Sequence, residues 1–200
     1  MFIQVITGKT SDREGLRRQF DRWQSELRAG ATGYLGSTGG VTDDGNVFMA
    51  ARFESEEAAR RNSTREEQGA WWAETEKFLE NARFQDSAEV TTLGGGGSDD
   101  AGFVQVMRGR VADKEKAPAL MARFAELLPA MAEGRPDILG DVTVIHSDGT
   151  YSDMIYFRSE AEAREGEKKE PPAEMQAMFE EFTAAMPVDE YIDLKDPWLT

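Results

Sequence analysis

One side chain in this chain titrates near neutrality without help from its surroundings: His146, beside Ser147-Asp148-Gly149 and matched in the first half by Thr42. It is the candidate general base, set against the plainer reading of a solvated polar residue at the end of a hairpin strand. With no cysteine and a single histidine, disulfides, thiolate metal sites, a cysteine nucleophile and a His-rich metal site within one chain are excluded. Gly36-Ser37-Thr38-Gly39-Gly40 lacks the lysine and the following helix that a phosphate cradle needs, and no nucleophile elbow or paired-carboxylate motif stands out. Glu165 to Glu170, interleaved with Lys168 and Lys169, reads as a solvated helix face. Two amides remain. Gln4 and Gln105 each interrupt an apolar strand, where an unpartnered buried amide costs about 1–3 kcal/mol, so each either bonds a neighbouring group or faces a ligand. Trp23 sits on an apolar helical stripe and reads first as core.

These residues recur because the chain repeats itself. Phe2-Ile3-Gln4-Val5 returns as Phe103-Val104-Gln105-Val106, Leu35-Gly36 as Leu139-Gly140, Asp44-Gly45 as Asp148-Gly149, and Phe53-Glu54-Ser55-Glu56 as Phe157-Arg158-Ser159-Glu160. Near the end of each half Glu89-Val90 is set against Glu190-Tyr191. The tract Gly94-Gly95-Gly96-Gly97-Ser98-Asp99-Asp100 reads as a natural linker, because similar sequence continues on both sides of it. The expected division is residues 1–93, a linker at 94–100, and residues 101–200.

Each half carries the same order of elements. Strand one is Phe2 to Thr7 or Phe103 to Arg108, rich in β-branched and aromatic residues. Ser11-Asp12-Arg13-Glu14 has the form of a capping box, and Asp113 is the expected cap in the second half. Leu16, Phe20, Trp23 and Leu27 then form one helical stripe, matched by Ala117, Met121, Phe124 and Leu128. Asp-Gly pairs predict type I′ hairpins joining Tyr34–Thr42 to Asn46–Phe53 and Ile138–His146 to Thr150–Phe157. Ser55 and Ser159 are expected to cap second helices, which break in two because Pro171-Pro172 cannot lie within one. The later pieces carry Trp72, Thr75, Phe78 and Leu79, or Met175, Met178, Phe179 and Phe182. Closing strands are expected at Ala88–Thr92 and Val188–Leu194, and Trp198 as a docked tail. Each half thus reads β-α-β-β-α-β, a ferredoxin-like repeat of an α+β fold. Strand one is apolar on both faces, so the sheets want cover on both sides, and the duplication lets one chain supply it.

Composition narrows the partners. The net charge of −15 divides as −6 over residues 1–100 and −9 over 101–200, leaving no cationic face for nucleic acid or anionic membrane surfaces. No apolar run approaches the roughly 18 residues of a membrane span. Met1 to Gly8 lacks the core and basic leader of a signal peptide, so the cytoplasm is the expected compartment.

The repeat order, from strand one through Phe53-Glu54-Ser55 and Phe157-Arg158-Ser159, resembles the dimeric α+β barrel superfamily, which includes antibiotic-biosynthesis monooxygenases and haem-degrading monooxygenases. The resemblance implies a tandem, single-chain version, its two sheets packed into a pseudo-dimeric α+β barrel, as a monomer or homodimer. Haem-degrading members use an asparagine in strand one, a tryptophan at the end of strand three and a helix-two histidine. Here those positions hold Gln4 or Gln105, Phe53 or Phe157, and no histidine near Trp71–Glu76 or Ala173–Met178, so the axial ligand is missing and no cofactor is expected. By resemblance to cofactor-independent oxygenases, Gln4, Trp23, Arg52, Phe53, Trp71 and Trp72 would line one pocket, and Gln105, Phe124, Tyr156 and Phe157 another. The expected ligand is a small apolar one. The expectation is a small-molecule-binding protein of this superfamily without demonstrated chemistry, with a cofactor-independent monooxygenase acting on an apolar aromatic or polyketide-like substrate as the alternative.

Overall fold

Apolar alternation, hairpin turns and serine caps build the elements much as their residues dictate. The computed structural model describes residues 1–170 and 173–200, with the backbone alone at 128–133 and 173–174. In chain order the elements are β1 (Phe2–Lys9), α1 (Arg13–Arg22), β2 (Tyr34–Val41), β3 (Asn46–Phe53), α2 (Glu56–Ser63), α3 (Glu66–Thr75), β4 (Glu80–Ser87) and β5 (Val90–Leu93). There follow β6 (Phe103–Arg110), α4 (Ala117–Gly134), β7 (Ile138–Ile145), β8 (Thr150–Phe157), α5 (Glu160–Glu167), α6 (Ala173–Ala185), β9 (Val188–Leu194) and β10 (Trp198–Leu199). By contact the chain divides into Met1–Ala88 with Trp198–Thr200, and Glu89–Pro197.

The first unit holds a sheet of order β10-β2-β3-β1-β4 and the second one of order β5-β7-β8-β6-β9, every pairing among the described residues antiparallel. Each central four-strand set is ferredoxin-like. The closing strand of the first half corrects the expectation of Ala88–Thr92: Glu80–Ser87 pairs with β1, while Val90–Leu93 pairs with β7. The segment ENARFQDS has little β-branched or apolar character, so it read poorly as a strand; as a largely exposed edge it needs little. In the second half Val188–Leu194 closes the sheet as expected.

Two local readings also change. Asp12, not Ser11, caps α1, its Oδ1 accepting from the Gly15 N–H at 2.7 Å. The hairpin turns are not type I′, since only Gly45 and Gly149 have positive φ. Gly45 N donates to Thr42 O and Gly149 N to His146 O, giving a tight turn followed by a left-handed glycine, which also fits the strand twist. Ser55 and Ser159 cap α2 and α5 as read, and Asp113 accepts from the N–H groups ahead of α4. The Leu128 side chain and the Pro171-Pro172 break lie outside the described residues.

The helical stripe expected from Leu16, Phe20, Trp23 and Leu27 is buried throughout. Leu16 and Phe20 pack with Val41, Val47 and Trp198, while Trp23 and Leu27 pack with Ala31 and Trp71. In the second unit Ala117 and Met121 join Val111, Tyr151 and Met186. Trp198 is 1% exposed, so the expected docked tail is a core strand.

Candidate functional site

Strand alternation decides which side chains of the first sheet share a face. Gln4 lies opposite Ala51, and Ala51 opposite Ser37; Ile6 lies between Met49 and Phe84. These residues floor a cavity of about 310 Å³ in the first unit. Phe53 and Tyr34, cross-strand neighbours, bound one end, and α3 supplies Gln68, Gly69, Trp71 and Trp72 with Asn62 and Ser63 from α2.

Helix α1 reaches the site through a change of pitch. Trp23–Leu27 is a π-helical turn in which the Arg28 N–H donates to the Trp23 carbonyl, a wider loop that often marks functional sites. Both Trp23 and Leu27 stay buried across it. The Trp23 indole N–H donates to Gln68 Oε1 at 2.7 Å and that of Trp71 to the Gln19 carbonyl at 2.9 Å, which fixes both rings. A continuous arc of rings results. It runs Phe53, Tyr34, Trp23, Trp71, Trp72, Phe84, with neighbouring centroids 4.8–6.5 Å apart and mostly edge-to-face. No Asp, Glu, Lys, Arg or His lines the cavity among the described residues; its polar groups are amides and hydroxyls. Such a surface favours a neutral, flat, apolar molecule with a few oriented hydrogen bonds.

Of the residues expected in this pocket, Gln4, Trp23, Phe53, Trp71 and Trp72 do line one cavity. Arg52 does not, and corrects the expectation. It falls between Ala51 and Phe53 and therefore on the opposite face, buried, where it donates to Thr38 Oγ1 at 3.4 Å and the Thr200 carbonyl at 3.5 Å. Gln4 bonds Asp86 only at 3.5 Å, leaving its amide poorly committed.

The second set is taken up in packing and hydrogen bonds. Gln105 is buried and donates to Asp193 Oδ1 at 3.1 Å, a structural amide. Tyr156 is fully buried, Phe157 packs with Phe103 and Ala163, and Phe124 stacks against Phe179 and Phe182. The register explains the difference. Where the first sheet has Ser37, Gly39, Met49 and Ala51, the second has Asp141, Thr143, Asp153 and Ile155 at matching positions. Ile155 stands where Ala51 faces the cavity of the first unit. Asp141 and Asp153 form a pair that the sequence reading did not single out: the Thr143 hydroxyl donates to Asp153 at 2.9 Å and lies 3.3 Å from Asp141. Burial, and then the Asp153 charge, push the Asp141 carboxyl well above its usual range, and burial raises Asp153 too.

His146 is not solvated at a hairpin end. It is 3% exposed, its Nε2 3.2 Å from Ser152 Oγ, and desolvation with the nearby Arg108 charge holds its pKa below the ordinary value. It belongs to the second unit and is not among the residues that line the first unit's cavity. Tyr34, Asn62, Gln68 and Phe84 were missed as site residues: Tyr34 was legible only as a strand start, and Phe84 lay in a segment not read as a strand.

No family model matches the chain, and a search of curated proteins finds no match. Solved structures do match it. A provisionally named monooxygenase of Lactobacillus acidophilus NCFM superposes with a TM-score of 0.71 at 12% identity, covering 100% of this chain and 98% of that one. An anthrone oxidase-like protein gives 0.67 at 11% identity over 99% and 90%. A ferredoxin-fold protein of Listeria monocytogenes related to antibiotic biosynthesis monooxygenases gives 0.50 at 10% over 96% and 92%. At these identities the likeness is one of fold. The chain thus shares the fold of these solved structures, two ferredoxin-like repeats in a single chain.

Proposed function

We propose that the first unit binds a small, neutral, apolar aromatic molecule in the cavity between its sheet and α3. The observation that carries this reading is the uncharged lining: an arc of rings around about 310 Å³, with the indole N–H groups of Trp23 and Trp71 already bonded within the protein. Aromatic faces held in place lose little entropy on receiving a flat ligand. Titrating naphthalene against the intrinsic tryptophan emission tests it. Saturable quenching with one site per chain is expected, weakened by about 1 kcal/mol, roughly fivefold, in Trp72→Ala. Absence of saturable binding overturns the reading.

A second reading is a cofactor-independent monooxygenase acting on such a molecule. It draws support from neighbours named for oxygenase chemistry and from the Gln4 and Asn62 amides beside the rings. Against it, the cavity lining among the described residues holds no carboxylate or imidazole to take a proton from a substrate. Oxygen consumption on adding an anthrone separates the two: steady uptake above the uncatalysed rate favours the enzyme, and none favours the binding protein.

A further inference from the structure

A residue remote in sequence organises the polar end of this cavity. Trp198 is anchored by Phe20, ring centroids 5.6 Å apart, and by the Arg17 guanidinium 5.5 Å from its ring. This holds β10 on the edge of β2, where Ser37 and Thr200 exchange backbone bonds, Ser37 N to Thr200 O at 2.7 Å and Thr200 N to Ser37 O at 3.1 Å. The approach needs the glycine at 36, with φ +142°, because a Cβ there would lie 2.3 Å from the Thr200 carbonyl.

So placed, Thr200 Oγ1 lies 2.6 Å from the Tyr34 hydroxyl and 2.9 Å from the Ser37 hydroxyl, and accepts from Gln24 Nε2 at 3.3 Å and from the Ser37 N–H at 3.2 Å. A hydroxyl has one proton and two lone pairs. The Gln24 and Ser37 N–H groups face its two lone pairs, so its single proton goes to either the Tyr34 or the Ser37 hydroxyl. Whichever end accepts keeps its own O–H uncommitted among the described residues. Both ends, Tyr34 and Ser37, line the cavity; Thr200 does not.

Building on the binding reading, we infer that Thr200 is a positioning residue whose three-hydroxyl relay presents one O–H donor to the cavity. The relay selects aromatic ligands that carry a hydrogen-bond acceptor such as a carbonyl oxygen. Calorimetric titration of the full chain with 2-acetylnaphthalene and 2-ethylnaphthalene, alike in shape, tests this. The ratio of their affinities cancels ring burial and is compared between variants. In Thr200→Val the relative preference for the ketone falls about fivefold, the net worth of one hydrogen bond; Thr200→Ser, which keeps the hydroxyl, retains it. An unchanged ratio in Thr200→Val overturns the inference while leaving the cavity reading intact. Should Thr200→Val not fold, Tyr34→Phe/Ser37→Ala, which removes both end hydroxyls, is read the same way. If neither compound binds the unmodified protein, the cavity reading fails and this inference with it.

Discussion

Ala51 and Ile155 occupy matching register positions, one beside Gln4 over a cavity and the other beside Gln105, half-buried against Phe103, Phe157 and Ala163. The Cβ of Ala51 is thus replaced by a larger, half-buried side chain in the second unit. Ala51→Ile is expected to abolish naphthalene binding while leaving the thermal midpoint within a few degrees, since the added group fills existing space; titration and melting of the same sample check both. The Asp141–Asp153 pair gives a pH prediction. Both carboxyls are raised in the folded protein above the unfolded value near pH 4, so the pair's contribution to stability is lost as pH rises from there. Asp153→Asn leaves Asp141 beside a neutral amide and is expected to stabilise the protein by about 1 kcal/mol at pH 7. Melting midpoints across pH 4–8 should show the difference between the two proteins growing with pH. Equal pH dependence would show that the pair ionises freely. At this scale the sequence was partly legible: paired glutamines and tryptophans announced themselves, but Asp141 and Asp153, twelve positions apart, meet only because β7 and β8 pair in this register.

Among the elements, regular patterns read well and edges did not. The two hairpins, the serine caps and the α1 stripe follow from short-range chemistry that neighbouring residues settle among themselves. β4 escaped because an exposed edge strand carries almost no hydrophobic alternation, and with it went Phe84. The π-helical turn at Trp23–Leu27 has no sequence signature either; Trp23 and Leu27 fit an ordinary helical stripe. β10 is two residues long and is held by the burial of Trp198 more than by its ladder. Trp198→Ala is expected to cost about 3–5 kcal/mol, as for other large-to-small core changes, and to loosen the Thr200 relay. Denaturant unfolding followed by circular dichroism measures it, and a loss below 1 kcal/mol would mean that β10 is an ornament of the sheet.

Across the whole molecule, duplication was the most legible feature, because repeated tetrapeptides at nearly constant offset survive where single residues diverge. What the repeats hid is the fate of the segment between them. Val90–Leu93 belongs to the second sheet, and Trp198–Leu199 to the first, so each sheet has its fifth strand from outside its own four-strand set. Loop-joined strands can change sheets without altering any local pattern, which is why sequence order alone misplaced this boundary strand. Charge offers a contrast of its own: a chain of net charge −15 keeps ionisable side chains other than Tyr34 out of the lining of the first unit's cavity. The most direct test of the account is a crystal of the protein soaked with 1-bromonaphthalene, its bromine located by anomalous scattering. The account predicts one ordered ligand against Ala51 and the Trp71–Trp72 pair, with none in the second unit. Bromine found elsewhere, with that cavity left vacant, would contradict it.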